Sequence, residues 1–223
     1  MELDLNPHQI RVLGCLIEKQ LNTPEYYPLT LSALTNACNQ KSSRDPVMQL
    51  SESEVLDAVH GLEKLQLARE KQNPGSRALK YSHKLTDTLT DRFGFSEQDI
   101  AILSLMFLRG PQSVGEIRTR TQRSNQFQDS AEIEQCLDKL SNSEPHAYVK
   151  SLPRQSGKRD IRYTHLFCDG NDDISTANVD VPEKFTSSDD SYVRTHEFES
   201  LKEEVAMLRA ELATLKSQVT ELL

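Results

Sequence analysis

The sequence predicts a mainly α-helical chain with small β wings: two tandem winged helix-turn-helix domains followed by a C-terminal coiled-coil helix. Three observations predict it. A nine-residue stretch occurs twice, as Gly75-Ser76-Arg77-Ala78-Leu79-Lys80-Tyr81-Ser82-His83 and as Gly157-Lys158-Arg159-Asp160-Ile161-Arg162-Tyr163-Thr164-His165. The shared pattern Gly-x-Arg-x-(Leu/Ile)-(Lys/Arg)-Tyr-(Ser/Thr)-His points to a duplicated unit. Each copy closes a segment that reads as three helices, the first and third with an apolar stripe at helical spacing, and the chain ends in an unbroken heptad pattern.

Taken in order, Asn6-Pro7 opens the first helix, with Asn capping and Pro at the first helical position. Ile10, Leu13 and Ile17 then form one buried stripe, and the helix is expected to end near Gln20. A proline-bounded connection, 22–28, leads to a second helix from Thr30 to Cys38, with Leu31 and Leu34 inward. The polar segment Asn39 to Pro46 reads as a turn. Ser51-x-x-Glu54 is a capping box that starts a third helix, with Val55, Val59 and Leu62 on one face. A strand from Leu67 to Gln72, a type II turn at Asn73-Pro74-Gly75-Ser76 and a strand carrying Leu79, Tyr81 and His83 on one face complete the first unit.

The second unit repeats this order. Ile100, Leu103 and Phe107 line its first helix, which Gly110-Pro111 stops. Ser113-x-x-Glu116 caps the second, and Ile133, Leu137 and Leu140 line the third, after Ser130. The strands Ala147 to Leu152 and Ile161 to His165 form its wing. Domain boundaries follow: 1–92 with a short helical joining segment from Leu85 to Arg92, 93–167, an acidic flexible linker over 168–194, and the heptad helix over 195–223.

In the heptad helix Phe198, Val205, Leu212 and Val219 take position a, and Leu201, Leu208, Leu215 and Leu222 take position d. Val at two a positions with Leu at d favours two strands. Glu197, Glu204 and Glu211 at g face Lys202, Arg209 and Lys216 at e only in a parallel pair. The expected partner is therefore a second copy of this chain, in a parallel coiled-coil dimer.

Composition bounds the function. The hydrophobic content of 36%, with 6% aromatic and no Trp, suits small helical cores. The net charge of −8 is unevenly spread, at −1 over residues 1–92, +1 over 93–167 and −8 over 168–223. The acidity belongs to the tail, so it does not argue against nucleic-acid binding by the repeated part. Cys15, Cys38, Cys136 and Cys168 show no metal-ligand spacing and read as reduced thiols of a cytoplasmic protein. The acidic N-terminus lacks a signal core, and the apolar run from Ile100 to Leu108 is too short to span a bilayer. No phosphate-cradling glycine loop, nucleophile–base pair or metal constellation is legible, so neither catalysis nor a cofactor is expected.

The first unit resembles the YceH family, a group of uncharacterised bacterial proteins. The resemblance is carried by Arg11-Val12-Leu13-Gly14-Cys15-Leu16-Ile17-Glu18-Lys19, by Thr23-Pro24-Glu25-Tyr26-Tyr27-Pro28-Leu29-Thr30-Leu31, and above all by Ala37-Cys38-Asn39-Gln40-Lys41-Ser42-Ser43-Arg44-Asp45-Pro46. It extends over residues from about 5 to 167. It implies a tandem winged-helix fold and supplies no settled activity.

Duplex DNA is the partner the basic residues suggest. Lys71, Arg77, Lys80, Arg154, Lys158, Arg159 and Arg162 belong to the wings, and Lys41, Arg44, Arg118, Arg120 and Arg123 lie on or after the second helices. Lys80 and Arg162, on the outward strand face, are the expected phosphate contacts, whereas Arg77 and Arg159 suit structural ion pairs equally well. The third helices argue the other way. Glu52, Glu54, Asp57 and Glu63, and Asp129, Glu132, Glu134 and Asp138, would repel phosphate. The expectation is a non-enzymatic, dimeric DNA-binding protein of the kind that serves as a transcriptional regulator. The alternative is a protein-interaction scaffold using the same surfaces and the coiled coil. His83 and His165, at matching positions, are expected to be structural.

Overall fold

The computed structural model describes residues 4–72, 78–86, 93–122, 126–154 and 160–168. Within them lie six helices and two small antiparallel sheets. In chain order the first half contains α1 (Pro7–Asn22), β1 (Leu29–Thr30), α2 (Leu31–Cys38), α3 (Glu52–Lys64), β2 (Ala68–Gln72) and β3 (Leu79–His83). The second half contains α4 (Glu97–Arg109), β4 (Gln112–Ser113), α5 (Val114–Thr121), α6 (Ser130–Ser141), β5 (Val149–Ser151) and β6 (Arg162–His165). This repeated order of three helices and a hairpin is compatible with winged-helix wings. Both halves fall within one compact unit, residues 1–175.

Capping explains where the helices begin. Asn6 accepts from the Gln9 amide at 2.9 Å, and Gln9 returns its side-chain carbonyl to the Asn6 amide at 2.9 Å. Ser51 with Glu54, Ser96 with Asp99 and Ser113 with Glu116 form the same reciprocal pair at the starts of α3, α4 and α5. Thr30 and Asp129 cap α2 and α6 with one side chain each. Each cap satisfies backbone donors that helix geometry leaves unpaired, for about 1 kcal/mol. Gly110, with φ of 70°, ends α4 in a conformation that favours glycine.

The sheets have orders β1-β3-β2 and β4-β6-β5. The two-residue strands β1 and β4 were not expected, because a strand that short carries no periodicity to read. They place Leu29 opposite Tyr81 and Gln112 opposite Tyr163, fastening each hairpin to the segment before the second helix. The expected inward face holds at Tyr81, His83 and His165, which are buried. It fails at Leu79 and Ile161, which are 38% and 39% exposed, because the outer end of each hairpin runs past the core.

One apolar core runs through both halves, from Leu13, Leu34 and Leu62 to Leu103, Leu137 and Phe167. The central crossing is between α1 and α4. At Gly14 an added Cβ would come within 2.9 Å of both Leu108 and Phe107, so glycine sets how closely these helices approach. Backbone bonds from the Leu5 amide to Phe167 O, 2.7 Å, and from the Asp45 amide to Leu108 O, 2.8 Å, tie the halves on either side. The proposed type II turn, most of the joining helix, and the linker and coiled-coil helix of 169–223 lie outside the described residues.

Candidate nucleic-acid interface

The first wing pairs two lysines. Lys71 of β2 lies directly opposite Lys80 of β3. Lys71 is exposed and Lys80 partly exposed, and neither makes an ion pair among the described residues. Like charges placed opposite each other across a ladder are unfavourable, so the pair raises local potential without serving the fold. Thr30, the N-cap of α2, sits opposite Lys80 on the other side.

The second wing treats the matching position differently. Arg162 of β6 is opposite Ser113, the N-cap of α5. Its Nη2 donates to both carboxylate oxygens of Glu116, at 2.8 and 3.0 Å, and its Nε donates to Oε2 at 3.3 Å. Arg120 approaches the same carboxylate at 3.9 Å. Burial pushes the Glu116 carboxyl upward, but the Ser113 amide and Arg162 outweigh it and hold its pKa below the usual carboxylate range. Arg162, expected to be an outward phosphate contact, is thus held by Glu116, at the third position of α5, with its side chain one-third exposed. The corresponding residue of α2 is Ala33, which has no charge to offer Lys80.

Arg44 is a correction to the expected phosphate contacts. Its side chain is wholly buried, 0% exposed. It donates to Glu18 at 3.0 and 2.7 Å, to the Ala37 carbonyl at 3.1 and 2.9 Å, to Ser43 O at 2.9 Å and to Gln40 Oε1 at 3.0 Å. Burial opposes its charge, but Glu18 overcomes this and raises its pKa. The polar density of the 39–46 segment serves this knot, which fastens α1 to the end of α2, and no donor is left facing solvent for a phosphate.

Of the other basic residues, Lys41, Arg118 and Arg154 are exposed, with Arg118 reaching Ser130 Oγ at 3.4 Å. Arg77, Arg123, Lys158 and Arg159 lie outside the described residues. Arg109, at the last turn of α4, was not singled out in the sequence. Burial, then the neighbouring charge of Arg120, lowers its pKa. A cation in a last turn reads as an ordinary partner of the helix dipole, so nothing in the sequence distinguished it.

The third helices present carboxylates to solvent. Glu52, Glu54 and Asp57 on α3 and Glu134 and Asp138 on α6 are exposed, while Glu63 and Glu132 are partly covered. The two histidines are structural: His83 Nδ1 accepts from the Leu85 amide at 3.2 Å, and His165 Nδ1 from the Phe167 amide at 3.3 Å. Burial pushes both imidazoles down to about 4, so they are neutral at pH 7. Cys15 and Cys38 are buried, and Cys136 and Cys168 are half-buried. Among the described residues no group of three His, Cys, Asp or Glu side chains could hold a metal ion, and no helix is long and apolar enough to cross a membrane.

A family model described as "Protein of unknown function, DUF480" matches residues 5–158, well over half of the chain. The chain belongs to the DUF480 family. Curated relatives carry the corresponding name UPF0502. The chain is 48% identical over 223 residues to a UPF0502 protein of Vibrio parahaemolyticus, with all of both chains covered. It is 46% identical over 226 residues to one of Vibrio atlanticus, again over both full lengths. With one from Shewanella sp. strain ANA-3 it shares 42% over 221 residues, covering 99% of this chain and 98% of the relative. The DUF480 and UPF0502 names state no enzyme activity, ligand or partner, so the argument for function rests on the side chains.

Proposed function

We propose that this DUF480 protein is a tandem winged-helix protein that binds duplex DNA through its wings, as a dimer joined by the C-terminal helix. The observation that carries the reading is the Lys71–Lys80 pair, two cations held opposite each other with no ion-paired carboxylate among the described residues. A phosphate backbone would relieve that repulsion and release counterions. Exposed Lys41, Arg118 and Arg154 extend the basic surface. The acidic outer faces of α3 and α6 argue against deep insertion of either helix into a major groove, so contact is to backbone, with little base readout. The parallel coiled coil of Phe198, Leu201, Val205, Leu208, Leu212, Leu215, Val219 and Leu222 belongs to the same proposal.

Titration of a labelled duplex at two salt concentrations tests the reading. Affinity falls steeply with salt in wild type and varies little between duplex sequences. Absence of binding at low salt refutes it. The same acidic helix faces favour a second reading, a scaffold that engages a basic protein surface. Sedimentation equilibrium separately tests the dimer: replacing Lys202, Arg209 and Lys216 by Glu sets like charges at every flank of the parallel form and should yield monomer.

A further inference from the structure

Neighbouring arginines run from α1 to α5: Arg11 feels the charge of Arg44, and Arg109 feels those of Arg44 and Arg120. Two of the four are closed to solvent. Arg44, with a wholly buried side chain, is gripped by Glu18. Arg11, in the wall of a cavity of about 390 Å³, is 1% exposed and donates to the carbonyls of Cys38 and Pro46. The other two are open. Arg109 is partly exposed, and the Arg120 side chain is 28% exposed.

The fold supplies neither open arginine with an acceptor of its own. The Arg109 side chain makes no hydrogen bond or ion pair among the described residues. Arg120 approaches Glu116 only at 3.9 Å, and its Nη1 is buried with no partner. Arg162 already holds both oxygens of that carboxylate. The remaining carboxylates near Arg109 are Glu18 and Asp45, and each acts on it more weakly than Arg120 does. Glu18 is spent on Arg44 and Lys19, and the exposed Asp45 acts least of all. The carbonyls at the end of α4 have a donor as well: Gln112 Nε2 reaches Arg109 O, Gly110 O and Pro111 O at 3.3, 3.1 and 2.9 Å. Arg109 and Arg120 each lie in the last turn of a helix. A helix end carries about half a negative charge, so two full cations leave an excess of about one.

We propose that the guanidiniums of Arg109 and Arg120 together hold one phosphate group. The geometry of the anion selects this class. A carboxylate is filled by one guanidinium, as Glu18 is by Arg44. A phosphate tetrahedron presents oxygens in more than one plane and accepts from two, each offering paired N–H donors. Partial burial strengthens such a contact relative to one in open water. The phosphate belongs either to a small phosphorylated compound or to a DNA strand. Only in the second case does the contact rest on the DNA-binding reading.

The test uses the full chain, with inorganic phosphate and pyrophosphate as small probes and a labelled duplex as the polymer. Calorimetric titration at low ionic strength should show saturable binding of at least one small probe at millimolar concentration. Arg109→Gln and Arg120→Gln should each weaken it at least about fivefold. Lys64→Gln, which removes an exposed cation of α3, should change it by less than about twofold. The urea midpoint of Arg109→Gln should stay at or above that of wild type, since this side chain has no partner to lose. Competition between the small probe and the duplex that Arg109→Gln removes identifies a DNA strand as the source. Binding of the small probe without such competition, or where no duplex binds, identifies a small phosphorylated compound, and the site then stands even if the DNA-binding reading fails. Absence of saturable binding by both small probes overturns the proposal. Equal weakening by Lys64→Gln also overturns it, as does a lowered urea midpoint for Arg109→Gln with unchanged anion binding, which would reduce Arg109 to a partner of the helix end.

Discussion

Lys80 in the first wing and Arg162 in the second stand at matching positions, each opposite the residue that caps the following helix, Thr30 and Ser113. What lies one helical turn on separates them. Glu116 captures Arg162 with two short hydrogen bonds, while Ala33 offers Lys80 no carboxylate and leaves it between Thr30 and Lys71. The first half instead buries Arg44, which binds Glu18 and the Ala37 carbonyl near the end of α2. The two halves repeat one order of elements, and a single position on each second helix decides whether the strand cation is held by a carboxylate, as Arg162 is by Glu116, or meets an alanine there, as Lys80 does. Repeat position therefore identifies where a charge sits but not what it does.

The halves agree at His83 and His165, and the largest expected effect comes from disturbing that agreement. Both have folded pKa values of about 4 against the ordinary 6.5. The folded state resists the proton, so their contribution is complete above pH 6.5 and is lost as pH falls towards 4. The loss should reach about 3 kcal/mol for each imidazole. Urea denaturation between pH 7 and 4.5 should show the decline, and the ring-proton NMR signals of these two residues should not titrate above pH 5. Titration of either near 6.5 would break the equivalence of the two positions.

Next in size is Arg44→Ala. It leaves Glu18 and the Ala37 carbonyl without their donor in a buried setting, at a cost of roughly 3–5 kcal/mol, with the lower end expected because Glu18 is 16% exposed. A lowered urea midpoint with an unchanged salt slope of DNA binding would mark Arg44 as part of the fold. A reduced salt slope without destabilisation would return it to the interface.

Lys71→Ala with Lys80→Ala reads the free wing. The double variant should leave stability unchanged or slightly improved, since it removes a like-charge pair, and should reduce the salt slope of duplex binding by about 2. Arg162→Ala sharpens the contrast. It should cost about 1 kcal/mol of stability, because the pair is about one-third exposed and solvent screens it. Its effect on the salt slope should be well below that of a single lysine change. An equal slope change for Arg162→Ala and Lys80→Ala would erase the distinction between the wings.

The sequence by itself determined the local structure. The caps at Asn6, Ser51 and Ser113, two apolar stripes of three per half and the repeated strand motif are covalently local signals, and helix starts and strand faces are set by backbone donors and side-chain periodicity within a few residues; the caps at Thr30, Ser96 and Asp129 emerged only with the structure. It also set His83 and His165 at matching positions on the inward strand face, where both are buried. It did not determine which cations are available. Arg44, Arg162 and the exposed Lys71 look alike as letters, and the difference between them is the presence of Glu18, Glu116 or no carboxylate within about 3 Å, contributed by residues 26 and 46 positions away for the two arginines. Only the tertiary structure brought the two halves together over Gly14, and only that packing produced the cavity beside Arg11. Both depend on close approach between segments distant in the chain, where the deciding quantity is the space left by neighbouring side chains, and no pattern along a single strand or helix encodes that space.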